Sequence, residues 1–227
     1  MPGLLRFARN DNEKVRVNEG VSMYTIERVV NGLLEENCWF ITDPATNHCV
    51  VIDPGDEAGA LITALGKRVL DGVLLTHGHF DHVGAAEELA DYGSALVYVH
   101  ADEAELLAWA PENAKQHGIE GLEVPVPDLT FQDGEELEVG AFCFTVIHTP
   151  GHTPGSSCFL LRDPETGQQH LFSGDTLFCH DIGRTDFLES VPQLMGSSLM
   201  KLAQLDPATI VYPGHGPVTT IADELAR

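Results

Sequence analysis

Four short segments constrain this chain more than any other feature. Each follows an apolar, strand-like run, each is punctuated by Gly or Pro, and each carries His or Asp. Val69–Leu75 leads into Thr76-His77-Gly78-His79-Phe80-Asp81-His82. Phe142–Ile147 leads into His148-Thr149-Pro150-Gly151-His152-Thr153-Pro154-Gly155-Ser156. His170–Phe172 leads into Ser173-Gly174-Asp175-Thr176-Leu177-Phe178, and Ile210–Tyr212 leads into Pro213-Gly214-His215-Gly216-Pro217. Loops at strand ends can turn such side chains into a cleft. Small residues beside them let the backbone approach a ligand closely. Imidazole mixed with carboxylate suits zinc, iron or manganese. One His-rich loop could be a solvated accident; four strand-end clusters are hard to produce by accident.

The rest of the pattern supplies the elements that would carry these loops. Val21–Val30, Cys38–Thr42 and Cys49–Ile52 are rich in β-branched and aromatic residues and are separated by Asn-Gly and Asp-Pro turn signals, so they read as strands. Val69–Thr76, Ala95–Val99, Glu136–Val139, Phe142–Ile147, Ser157–Leu161, His170–Ser173 and Thr209–Tyr212 read likewise. Helical spacing appears over Asp56–Lys67, with Ala58, Leu61, Ile62 and Leu65 on one face, and over Ala85–Tyr92, Ala101–Ala110, Pro192–Leu205 and Ile221–Ala226. Pro111–Pro127 reads as a long irregular connection, and the polar residues 1–20 as an irregular arm. Strands that mix with helices and also follow one another as hairpins predict an α/β (α+β) chain with two sheets, or one large mixed sheet, and helices outside.

At 227 residues the chain is long enough for one domain with a full core. Its formal net charge is −23, with only 12 Lys and Arg. Such a surface repels phosphate backbones and anionic headgroups, which argues against nucleic-acid and membrane-surface partners. The acidity has two readings, a solubilising surface or adaptation to a high-salt cytoplasm in which ions screen self-repulsion. No apolar run approaches the ~20 residues of a membrane span, and the N-terminus has no secretory stretch. The five cysteines, Cys38, Cys49, Cys143, Cys158 and Cys179, form no C-x-x-C pair, and most lie in apolar runs. They read as free thiols in a reducing cytoplasm. No oligomeric state follows from the sequence.

The motifs T-H-G-H-F-D-H at 76–82, P-G-H-T-P-G-S at 150–156, S-G-D-T-L-F at 173–178 and P-G-H-G at 213–216 occur in an order that resembles the metallo-β-lactamase superfamily of hydrolases. The likeness is greatest to its glyoxalase II-like, or hydroxyacylglutathione hydrolase-like, single-domain branch. The resemblance implies a four-layer αββα sandwich over residues 21–227, with two mixed sheets, outer helices and a dinuclear site at one edge. It implies that His77, His79 and His152 hold one metal ion, that Asp81, His82 and His215 hold the second, and that Asp175 bridges them. Two divalent ions are implied, zinc first, with iron or manganese as alternatives. Asp53, in Val51-Ile52-Asp53-Pro54-Gly55, occupies the family's first Asp motif and reads either as a partner that fixes a ligand or as a turn residue. Asp81 is expected to serve catalysis by orienting a metal-bridging hydroxide as well as binding metal.

The implied reaction is hydrolysis of a small acyl thioester such as S-lactoylglutathione. Arg184 stands where the family has a glutathione-contacting lysine and could grip a substrate carboxylate, or pair locally with Asp181 or Asp186. Two family tyrosines are replaced by Asp186 and Pro217, and the family's C-terminal glutathione-binding helical domain is not expected. Alternatives are another superfamily hydrolase (a lactonase, esterase or phosphodiesterase) and a mononuclear iron persulfide dioxygenase. Phe80 and the full set Asp81, His82 and His215 favour the dinuclear hydrolase. His180 could reach the mouth of the cleft.

Overall fold

Alternation along the strands sets the architecture. In the computed structural model, which describes residues 14–15 and 22–226, the first sheet runs in chain order. Its strands are β1 (Lys14–Val15), β2 (Thr25–Asn31), β3 (Glu36–Asp43), β4 (His48–Ile52), β5 (Val69–Leu74), β6 (Leu96–His100) and β7 (Leu129–Phe131). Pairing is antiparallel from β1 to β4 and parallel from β4 to β7. The second sheet contains β8 (Glu136–Val139), β9 (Phe142–His148), β10 (Ser157–Arg162) and β11 (Gln169–Gly174). After a hairpin of β12 (Leu177–Phe178) and β13 (Asp181–Ile182), β14 (Ile210–Pro213) and β15 (Thr219–Thr220) complete it, in the order β15-β14-β11-β10-β9-β8.

Successive strand residues face opposite sides, and the two sides meet different partners. Trp39, Ile41, Val50, Ile52 and Leu74 point toward Phe144, Phe159, Phe172 and Tyr212, which makes an aromatic layer between the sheets. Their neighbours Cys38, Phe40, Cys49, Val51 and Val73 point outward. There they meet Leu61 and Leu65 of α1 (Ala58–Leu65), Val83 of α2 (Phe80–Val83), Leu89 of α3 (Ala86–Gly93) and Leu107 of α4 (Ala104–Gln116). The outer face of the second sheet, with Cys158, Leu171 and Val211, is covered by Leu202 of α5 (Pro192–Leu202) and Ile221 of α6 (Ile221–Leu225). The result is the expected αββα order. Each buried aromatic of the middle layer contributes roughly 2–3 kcal/mol through area removed from water. Trp39 also donates its indole N–H to the Pro213 carbonyl at 3.1 Å, which joins the sheets directly beneath the fourth motif.

Two details differ from the sequence expectation. The connection expected over Pro111–Pro127 begins later, because α4 continues through Pro111 to Gln116. A proline inside a helix forfeits one backbone bond. Here the buried stripe Leu107, Ala110 and Ala114 lies on the first sheet's outer layer and carries the helix past it. The short elements α2, β7, β12, β13 and β15, of two to four residues each, fall in stretches expected to be loops. The arm expected over 1–20 lies outside the described residues except for Lys14–Val15, which pair with β2.

Candidate metal centre

All four motifs converge at one end of the seam between the sheets. The first follows β5 and contains α2; the second joins β9 to β10; the third follows β11; the fourth follows β14. Local structure fixes each loop. The backbone N–H of Asn37 donates to Gly214 at 2.7 Å, and its side-chain amide donates to the carbonyls of Pro213 and Gly216, both at 2.9 Å. Ser157 donates its N–H to the Thr76 carbonyl at 2.9 Å and ties the second motif to the first. A Cβ on Gly214 would collide with Asp175 Oδ1 and lie 2.7 Å from His82 Cε1, so the fourth loop reaches the centre only as glycine.

His77, His79 and His152 bring one nitrogen each within 4.8 Å of one another, and Asp81, His82 and His215 do the same with their donor atoms. Asp175 lies between the two sets, with Oδ1 3.4 Å from His82 Nε2 and Oδ2 3.5 Å from His152 Nε2 and 3.7 Å from His215 Nε2. The structure thus places the seven expected residues around one centre.

Each first-set imidazole, and His82, has its other nitrogen engaged. His82 Nδ1 donates to Asp53 Oδ2 at 3.1 Å. The Thr76 hydroxyl donates to the same oxygen at 2.6 Å and accepts from His77 Nδ1 at 3.0 Å. His79 Nε2 donates to Glu189 Oε1 at 2.9 Å, and His152 Nδ1 donates to the Arg184 carbonyl at 2.7 Å. This pattern fixes ring orientation and leaves an electron pair facing inward. His77 Nε2, His82 Nε2 and Asp175 Oδ1 are buried with no hydrogen-bond partner, and His79 Nδ1 meets His152 Nε2 at 2.9 Å. Orphaned inward donors, and two imidazole nitrogens held face to face, fit a divalent cation in each set. Asp53 therefore fills both roles considered for it: it holds two rings, and it sits at a strand-end turn with φ 51°.

The electrostatics agree with that fit. Burial, reinforced by the neighbouring histidines, holds His77 well below the usual imidazole range and pushes His152 down to about 4. Burial opposes charge on His82 and His215, yet the carboxylates of Asp175 and Asp81 raise both. Burial would raise Asp81, but His82, His215 and His79 outweigh it and keep the carboxyl ionised. The second set draws positive charge onto itself.

Arg184 is two-thirds exposed and forms a two-pronged pair with Asp186, Nε to Oδ1 at 2.9 Å and Nη2 to Oδ2 at 2.8 Å. Its guanidinium lies 4.5 Å from the centroid of Phe187, whose ring flanks His79 and His152 at 5.5 and 5.7 Å. The segment 184–189 thus borders the centre. His180 turns away from it: its N–H donates to Glu224 Oε2 at 3.0 Å.

Three glutamates escaped the sequence reading. Glu189 orients His79. Glu103 is fully buried and accepts from Gly78 N–H at 2.7 Å, from the Thr153 hydroxyl at 2.6 Å and from Gly155 N–H at 2.6 Å. It staples the first ligand loop to the second. Glu36 is buried beside His82, 4.0 Å from Nδ1, and burial holds its carboxyl well above the usual range. A lone Glu has no spacing signature, and each of these stands next to another acidic or polar residue that hides it in the sequence.

The Metallo-beta-lactamase superfamily profile matches residues 31–215. The chain is 37% identical to the hydroxyacylglutathione hydrolase GloC of Haemophilus influenzae, over 88% of this chain and 94% of that protein. It is similar to the crystal structure of the BLEG-1 B3 metallo-beta-lactamase, with a TM-score of 0.80 and 35% identity over 89% of this chain and 97% of the other. It is also similar to TTHA1623, solved in a di-iron-bound form, with a TM-score of 0.77 and 38% identity over 87% and 96%. Among the described residues, no helix is long and apolar enough to cross a membrane.

Proposed function

The chain belongs to the metallo-β-lactamase superfamily and is a metallo-hydrolase; from this we propose that it hydrolyses a small acyl thioester, of which S-lactoylglutathione is the first to assay. The observation that carries the reading is the pair of donor sets with Asp175 between them. In this proposal residues 21–227 form the catalytic domain. His77, His79 and His152 would hold one ion, Asp81, His82 and His215 would hold the other, and Asp175, which lies between the two sets, would serve both. Zinc is the first choice; the donor set also accepts iron or manganese, and the di-iron form of TTHA1623 makes iron the leading alternative. Two divalent ions held there would supply Lewis acidity and a water activated near neutral pH.

The chain's own groups do the rest. Asp81, kept ionised by three histidines, accepts a hydrogen bond from the attacking water and orients it. Asp53 and Glu189 keep the ligand rings in register. A thioester suits the site because a thiol ionises near pH 8–9 and its thiolate leaves without being protonated first. Arg184 can exchange its exposed partner Asp186 for a substrate carboxylate, since solvent screening keeps such an exposed pair weak. The flanking Phe187 offers an apolar wall beside the acyl group.

Purified protein should hydrolyse S-lactoylglutathione with thiol release and kcat/KM above about 10⁴ M⁻¹s⁻¹, and a chelator should abolish turnover. No turnover by a preparation holding two ions per chain would remove this substrate. The likeness to BLEG-1 favours a second reading, hydrolysis of a cyclic amide or ester, and β-lactams and lactones are the next compounds to test.

A further inference from the structure

We infer that Cys179, His180 and Glu224 form a zinc site of their own, which fastens α6 to the β12–β13 hairpin. Each residue offers one donor atom, and the three atoms lie within 4.8 Å of one another. His180 Nδ1 stands 3.3 Å from Glu224 Oε1. Two ligands each about 2.0–2.1 Å from a tetrahedral zinc are themselves about 3.3 Å apart, so this edge is already at its liganded length. Thiolate, imidazole and carboxylate together select zinc over magnesium or calcium.

The donors are held rather than merely near. Glu224 is nearly buried; Oε2 accepts the His180 backbone N–H at 3.0 Å and Oε1 accepts the Thr219 hydroxyl at 2.6 Å. Cys179 and His180 are the two turn residues of the hairpin, since Phe178 pairs with Asp181. Successive residues of an extended strand point to opposite sides. His180 has φ 71°, a conformation that favours glycine, and this breaks the alternation so that neighbouring side chains can converge. A histidine kept where the turn calls for glycine points to a use for the side chain. His180 and Glu224 line the rim of a cavity of about 270 Å³, with Asp181 beside them and Leu177, Leu199 and Leu202 among its apolar walls. Binding releases the thiol proton of Cys179, and water completes the fourth position.

The test is a cobalt titration of the full chain, because cobalt coordinated by thiolate gives a strong near-ultraviolet charge-transfer band. None of the seven residues proposed for the active centre is a cysteine, so the band does not arise there, and Cys179→Ser separates this site from the exposed thiol of Cys143. The wild type should show a band that saturates at one cobalt per chain beyond what the active centre takes up, and zinc should displace it. Cys179→Ser should abolish the band and leave hydrolase activity unchanged. Glu224→Gln should weaken cobalt binding at least tenfold. His180→Gly should also lose the band, yet melt at a higher temperature in chelator, because it relieves the left-handed backbone. No band in the wild type, or a band that survives Cys179→Ser or His180→Gly, would overturn the inference.

Discussion

Asp53 touches both halves of the proposed centre, His82 directly and His77 through the Thr76 hydroxyl. An amide there must turn an N–H toward groups that already donate. Asp53→Asn should therefore lower metal affinity by roughly 10–100-fold, measured by competition with a chromogenic chelator; wild-type affinity would refute the role. His79→Ala and Asp175→Ala should lose an ion and several orders of magnitude in kcat, and near-normal activity in both would sink the ligand assignment. A histidine outside the centre adds a pH dependence of its own. His170 is buried, lies 3.0 Å from the Tyr212 hydroxyl, and is pushed down to about 4 by burial. The unfolded chain takes up that proton near 6.5, so between about 6.5 and 4 the unfolded state binds more protons and stability falls as pH falls. The wild type should lose about 2–3 kcal/mol through this group between pH 7 and 4.5. His170→Gln should lack that part of the loss in urea titrations. The seven residues proposed for the centre could be named because four strand-end motifs resemble those of a known family; Glu103 and Glu189 could not, because each acts from a distant stretch of chain that only folding brings near.

The elements show the same division. Strands of five or more residues announce themselves by apolar content, but the hairpin β12–β13 and the pair β14–β15 include strands too short to carry a period. Pro111 misled for the opposite reason, a local breaker overruled by the apolar stripe around it. The start of α4 has the larger consequence. Glu103, just before it, receives three donors from two ligand loops. Glutamine offers one acceptor oxygen and would face at least one of those donors with an N–H. Glu103→Gln should destabilise by about 1–3 kcal/mol and release metal faster, and Glu103→Asp should restore part of both. Unchanged metal retention in Glu103→Gln would show that the staple is dispensable.

At the scale of the molecule, hairpins alternating with amphipathic segments left two sheets or one large mixed sheet open and the family resemblance pointed to two, whereas the aromatic layer between the sheets emerges only when both are in place. The net charge of −23 belongs to this scale too. Screening should relieve its self-repulsion, so the melting temperature should climb by several degrees, equivalent to about 1–2 kcal/mol, from low to molar KCl; a flat series would contradict this. The seven proposed ligands come from loops on both sheets, His77 to His82 from one and His152, Asp175 and His215 from the other. Each donor set draws on both sheets, so the gap between the sheets sets the span that each set has to close. Such a protein carries its own caliper: a slimmer side chain in the middle layer, at Phe159 for instance, would be heard first as a quickened escape of metal.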